Sequence, residues 1–178
     1  MNQWIVLFRG INVGGHNIVP MKELKSALEQ VGCEDVSTYI QSGNVVLGHA
    51  ETKADKLANL ISETVKKKFG FEPRVLLLTR QQLEASRTNN PFPDGEGDPK
   101  TLHLYFLADD PTDMDGDALD NMRFSTERYE LIDRVFYLHA PDGIGRSKLA
   151  AGVEKCLGVP ATARNWRTVE KVLQLATA

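Results

Sequence analysis

The chain reads as an α+β protein of two packed ferredoxin-like (βαββα) subdomains with mainly antiparallel sheets, and three observations predict it. Strand-length apolar runs at 4–9, 36–40, 45–47 and 75–79 alternate with amphipathic stretches in the order β-α-β-β-α-β. Strands at 102–107, 129–132 and 135–139, with helices near 147–157 and 166–177, then repeat that order without repeating the letters. Between the two sets, Asn89 to Pro99 is rich in Pro, Gly and Asp, the pattern of a linker or mobile loop. The expected boundaries are 1–79 for the first subdomain, 80–100 for a connecting helix and loop, and 101–178 for the second.

Each element has a local reason. Trp4 to Phe8 is an unbroken apolar strand core, followed by a ten-residue loop. Pro20 opens a helix whose apolar face is Met21, Leu24, Leu28 and Val31, and Gly32 stops it. Ser42-Gly43-Asn44 supplies the turn between strands two and three. Thr52 with Asp55 reads as a variant capping box for a helix burying Leu57, Ile61, Val65 and Phe69, closed by Gly70. Thr79 with Gln82 is a second box, opening a short connecting helix to about Arg87. Asp110-Pro111 reads as the start of a short helix, and Asn165 as the cap of the last one.

Topology adds a geometric expectation. In a ferredoxin-like sheet the first and third strands are antiparallel neighbours, so the end of one lies beside the start of the other. Arg9–Gly15 and Gln41–Asn44 should therefore meet, although about thirty positions separate them.

Composition excludes several classes. The 178 residues are 42% hydrophobic and 25% charged, an ordinary globular balance, with no apolar run near the roughly 20 residues of a membrane helix. Position 1 leads straight into a strand with no leader pattern, and Cys33 and Cys156 have no nearby partner; both features suit a reducing cytoplasm. Net charge is −3 but uneven: residues 143–178 carry +4 and the rest −7, which favours an anionic partner near the C-terminal part. A pI near 5.8 argues against a dedicated nonspecific nucleic-acid binder.

Four polar segments then stand out as candidate sites. In the first, Arg9, Gly10, Asn12, Gly14 and Gly15 place glycines and a guanidinium directly after a strand, which suits a loop wrapped on an anion. The spacing matches neither a Walker loop nor a dinucleotide fingerprint, and a long βα loop needing flexible corners explains the glycines equally. Gln41, Ser42 and Asn44 are turn formers that gain interest from their expected place beside Arg9. Ser42 has no elbow motif or His–acid pair to make it a nucleophile. Arg146, Ser147 and Lys148 open a helix: capping explains Ser147, but two cations at a helix start oppose its dipole unless an anion sits there. Arg164 and Arg167 flank the Asn165 cap, and Trp166 has with Val169 and Leu173 the spacing of a core residue. To hold one ligand specifically, these cations must converge.

Other patterns fail. Six aspartates between 109 and 120 miss the EF-hand register, with Ala118 and Phe124 where Gly and Glu belong. No histidine spacing makes a metal site, no cofactor motif is present, and Lys66–Lys68 complements a helix C-terminus.

Taken in order, Leu7-Phe-Arg-Gly-Ile-Asn-Val-Gly-Gly15, Tyr39-Ile-Gln-Ser-Gly-Asn-Val45, Asn90-Pro-Phe92, Gly145-Arg-Ser-Lys-Leu149 and Ala163-Arg-Asn-Trp-Arg-Thr-Val169 resemble the bacterial family called domain of unknown function 1697. The resemblance covers almost the whole chain and implies a cytoplasmic protein of two ferredoxin-like subdomains, with no activity or catalytic residue to carry over. Ala163 departs from a more usual Thr there.

Three functions follow as expectations. The first is non-catalytic binding of an anionic ligand: a phosphorylated small molecule, a nucleotide or a short nucleic acid. An RNA-recognition module is disfavoured, because Val45–Leu47 lacks the aromatics that stack bases. The alternatives are an enzyme acting on a phosphorylated metabolite and an interaction or regulatory domain pairing through sheet edges.

Overall fold

The computed structural model describes residues 1–177, in two compact units. One comprises Met1–Glu84 with the residues from Lys171 onward, the other Ala85–Glu170.

The first unit runs β1 (Asn2–Arg9), α1 (Met21–Gln30), β2 (Glu34–Tyr39), β3 (Asn44–His49), α2 (Ala54–Phe69) and β4 (Arg74–Leu78). Its sheet order is β2-β3-β1-β4 with every pair antiparallel, as the sequence predicts. Period-two alternation sends Trp4, Val6 and Phe8 into a core with Val45, Leu47, Leu24, Leu28, Leu57, Ile61 and Val65. Each such side chain contributes roughly 1.5–3 kcal/mol by leaving water. Ile5 and Leu7, on the opposite face of β1, are buried as well, which is why this strand is apolar throughout.

The helix ends are specific. Gly70 closes α2 at φ 82°, its amide donating to the Lys66 carbonyl at 3.0 Å. The box expected from Thr52 and Asp55 does not form. The Glu51 carboxylate instead accepts from the Thr52 and Lys53 amides, both at 2.9 Å, and those bonds hold its pKa below the ordinary value. The Thr79–Gln82 box is reciprocal, at 2.8 and 3.1 Å, and opens α3 (Arg80–Thr88).

The second unit runs β5 (Leu102–Leu107), α4 (Gly116–Met122), β6 (Arg128–Ile132), β7 (Val135–His139), α5 (Lys148–Leu157) and β8 (Ala161–Asn165), and ends within α6 (Trp166–Leu175) at Glu170. The order β6-β7-β5-β8 reproduces that of the first sheet. Tyr105, Leu107, Phe136 and Leu138 pack against Leu119, Leu149, Val153 and Leu157.

Two expectations need correction here. Strand β8 is absent from the sequence reading because Ala-Thr-Ala-Arg-Asn has no large aliphatic residue. It is a strand because β5 offers it a ladder from Leu107↔Ala161 to His103↔Asn165, which completes βαββαβ. The short helix does not start at Asp110-Pro111. Asp110 and Asp109 hold the Arg134 guanidinium, at 3.1 and 2.6 Å, and the cap is Asp115, which accepts from the Ala118 amide at 2.9 Å. Among the described residues no helix is long and apolar enough to cross a membrane.

Candidate functional site

In the first unit the loop after β1 and the β2–β3 turn do meet. The Phe8 amide donates to the Gly43 carbonyl at 2.8 Å. Asn12 ties the rest together: its Oδ1 accepts from the Val19 amide at 2.7 Å, and its Nδ2 donates to the carbonyls of Val19 (3.0 Å) and Gln41 (2.7 Å). Both amide protons of Asn12 are thus committed to holding loop to turn. Gly43 makes the close approach possible, since a Cβ there would lie 2.6 Å from Phe8 Cβ.

The glycines have turn roles. Gly14 and Gly15 sit at φ 57° and 78° between Val13 and His16, whose amide donates to the Val13 carbonyl at 3.0 Å. Two consecutive positive φ values are the signature of a tight hairpin turn of the primed kind. Gly10, at φ 75°, gives its carbonyl to Asn17 Nδ2 at 2.9 Å. Asn44 is wholly buried, its Nδ2 donating to the Tyr39 carbonyl and Ser42 Oγ. At the surface this frame leaves residues 13–18 and 40–42, among them Gln41 and Ser42.

The register then brings in a residue that the sequence reading omits. Arg9, the last residue of β1, pairs directly with Arg74, the first of β4. Phe8 and Val75, one step away, face the helices, so both guanidinium side chains leave the opposite face. Arg9 is half-buried and Arg74 exposed, and Arg74 forms no ion pair within the described residues. Like charges directly opposed across a ladder cost on the order of 0.2–1 kcal/mol. The signal was available: an antiparallel β4 ending the β-α-β-β-α-β order must start beside the end of β1.

In the second unit Ser147 caps α5, its Oγ accepting from the Ala150 amide at 2.9 Å, between the exposed Arg146 and Lys148. Asn165 caps α6, accepting from the Thr168 amide at 2.9 Å. Arg164 is largely withdrawn from water, and burial brings its guanidinium down to about 10; its Nη1 donates to the Ala163 carbonyl at 2.8 Å. Trp166 is buried, as its spacing predicts. Among the described residues no group of His, Cys, Asp and Glu could hold a metal ion.

A family model described as "Protein of unknown function (DUF1697)" matches residues 1–137. The chain belongs to this family. The DUF1697 match includes Arg9, Asn12, Gln41, Ser42 and Arg74, and stops within β7, before Arg146, Ser147, Lys148, Arg164 and Asn165. The chain is also similar to the solved structure of the conserved bacterial protein SP0830 from Streptococcus pneumoniae. Identity there is 26%, over 98% of each chain, with a TM-score of 0.69. A comparison with curated proteins finds no match.

The Asn90-Pro91-Phe92 motif of this DUF1697 chain opens a stretch that the sequence reads as a linker, yet it is pinned. Arg128 Nη2 reaches Asp94 at 2.5 Å and His139 Nδ1 at 2.8 Å, and the guanidinium lies 4.9 Å from the Phe92 ring centre. A guanidinium only donates, so His139 Nδ1 accepts and its proton sits on Nε2. Phe92 in turn stacks on His139. Burial, with the Arg128 charge beside it, lowers the His139 pKa. The motif therefore fixes the segment before β5.

Proposed function

We propose that the first unit binds an anionic ligand at the shared end of β1 and β4. The supporting observation is Arg74, which is exposed and forms no ion pair among the described residues, with a second guanidinium side chain, Arg9, directly opposite it on the ladder, so that an anion at this edge meets positive charge from both strands. The exposed Gln41 and Ser42 belong to the turn that Asn12 anchors at the same edge, and add neutral donors. The ligand class is the phosphorylated small molecule, nucleotide or short nucleic acid. Charge-assisted bonds contribute about 1.5–3 kcal/mol each. Two guanidinium groups and one neutral donor therefore supply about 3.5–7.5 kcal/mol, which spans millimolar to nearly micromolar binding. Guanidinium, amide and hydroxyl groups hold charge and donate hydrogen bonds, which is binding rather than turnover. A reducing cytoplasm suits Cys33 and Cys156, both free and buried, the first with its thiol pushed up to about 11 by burial.

Isothermal titration with inorganic phosphate and with adenosine monophosphate tests the reading. Saturable binding that falls tenfold or more in Arg9→Ala and in Arg74→Ala is expected. Heat that is absent, or unchanged in both variants while each remains folded, would overturn it.

A further inference from the structure

The segment before β5 is held to the second sheet through two side chains. Arg128 Nη2 donates to the Asp94 carboxylate at 2.5 Å, and the Phe92 ring stacks on His139 at 6.3 Å between ring centres. The guanidinium also lies 4.9 Å from the Phe92 ring centre. Gly95 closes over the same imidazole, where a Cβ would sit 2.9 Å from His139 Cδ2. Among the described residues, Phe92 and Asp94 have no other polar or ring contact outside residues 89–99. The segment is a strap with one latch, built on a single imidazole and a single guanidinium.

The latch needs a neutral imidazole. His139 Nδ1 accepts from Arg128 Nη2 at 2.8 Å through a lone pair that protonation removes. Protonation would set two donors and two positive charges at that distance. The charged groups acting on His139 are Arg128, from β6, and Asp94, from the strap, while its partner on β5 is the apolar Leu102. One carboxylate is then shared by two cations. The strands cannot part to relieve this, because Arg128 and His139 are direct partners in the β6–β7 ladder. What can leave is the guanidinium, and Asp94 and Phe92 leave with it.

We propose that residues 89–99 form a pH-released strap: protonation of His139 expels the Arg128 guanidinium and frees Phe92, Asp94 and Gly95 from the sheet, while β6 and β7 stay paired. The sign follows from linkage. Burial first, then the Arg128 charge, outweigh Asp94 and hold the strapped His139 below its ordinary pKa of 6.5. The released imidazole, uncovered and away from the guanidinium, takes up its proton at higher pH. The strapped form is therefore favoured above about 6.5, and the released form gains as pH falls below that. The device lies wholly in the second unit and is independent of the anion reading.

Heteronuclear NMR on the full chain from about pH 7.5 to about pH 4.5 tests it, reading the His139 ring carbons beside the backbone order parameters of the strap. Order parameters near about 0.85 at neutral pH should fall below about 0.6 with the same midpoint as the His139 ring. That midpoint should lie below about 6.5, and β6 and β7 should keep their order. His139→Gln, a neutral acceptor that does not titrate, should keep the strap ordered throughout. Arg128→Ala should loosen the strap already at neutral pH with the β6–β7 ladder intact. A strap whose order is unchanged while His139 titrates would overturn the proposal, as would a ring that takes up no proton in this range. A ring midpoint above 6.5 with a strap that tightens would do the same, since Asp94 would then be clamping the imidazolium. Equal loss of order in His139→Gln and the wild type would assign the release to another group.

Discussion

At the scale of single residues, Gly43 and Gly15 have similar φ values, 77° and 78°, and opposite surroundings. An alanine at 43 would push its Cβ into Phe8 and Ile11, whereas nothing lies within 4 Å of a Cβ at 15. Gly43→Ala should therefore cost about 3 kcal/mol and Gly15→Ala about 1, compared by urea denaturation. Ile40 lies at φ 48°, so by the same reasoning Ile40→Gly should stabilise by about 1 kcal/mol. His103 gives a pH prediction. Its Nδ1 is buried without a partner among the described residues, and burial lowers its pKa from 6.5 to about 4. The unfolded chain therefore takes up this proton first, so stability falls as pH drops from about 6.5 and the loss is complete near 4. Its size is on the order of 3 kcal/mol. His139 shifts in the same direction. In stability profiles measured against pH, His103→Leu should show a shallower fall; equal slopes would contradict this account.

At the scale of elements, the apolar runs of β1, β3 and β4 and the glycine stop of α2 were legible, because period and punctuation act locally. So was the meeting of the Arg9 loop with the Gln41 turn, which follows from strand order alone. Strand β8 was not legible: its pairing is set by the edge of β5, and no propensity in Ala161–Asn165 announces it. Asp110 looked like a cap because Asp-Pro often is one, but Arg134, twenty-four positions away, claimed it. Arg74 could have been found by extending the ladder one residue. Its pairing also sets a prediction at this scale. Arg74→Thr removes a like-charge opposition and inserts a strand former, so the anion-free protein should gain about 0.5 kcal/mol while losing its response to phosphate. A capping test is independent of both: Ser147→Ala should cost about 1 kcal/mol in thermal or chemical denaturation.

At the scale of the whole molecule, two units carry the same strand order on unrelated letters, as expected when topology is specified by pattern. Their polar motifs are put to different uses. In the second unit Ser147 and Asn165 are caps and Trp166 is core, so capping and burial account for much of what made those segments conspicuous. In the first unit Asn12, Asn44 and the glycines build a frame, and the frame sits beside Arg9 and, opposite it on the ladder, the exposed Arg74. The claim that this edge holds an anion is tested most directly by amide chemical shifts on titration with inorganic phosphate. Saturable shifts concentrated at residues 9–17, 40–44 and 74, and absent in Arg74→Ala, are the result this account predicts. Shifts that are missing from those residues, or that persist unchanged in the variant, would contradict it.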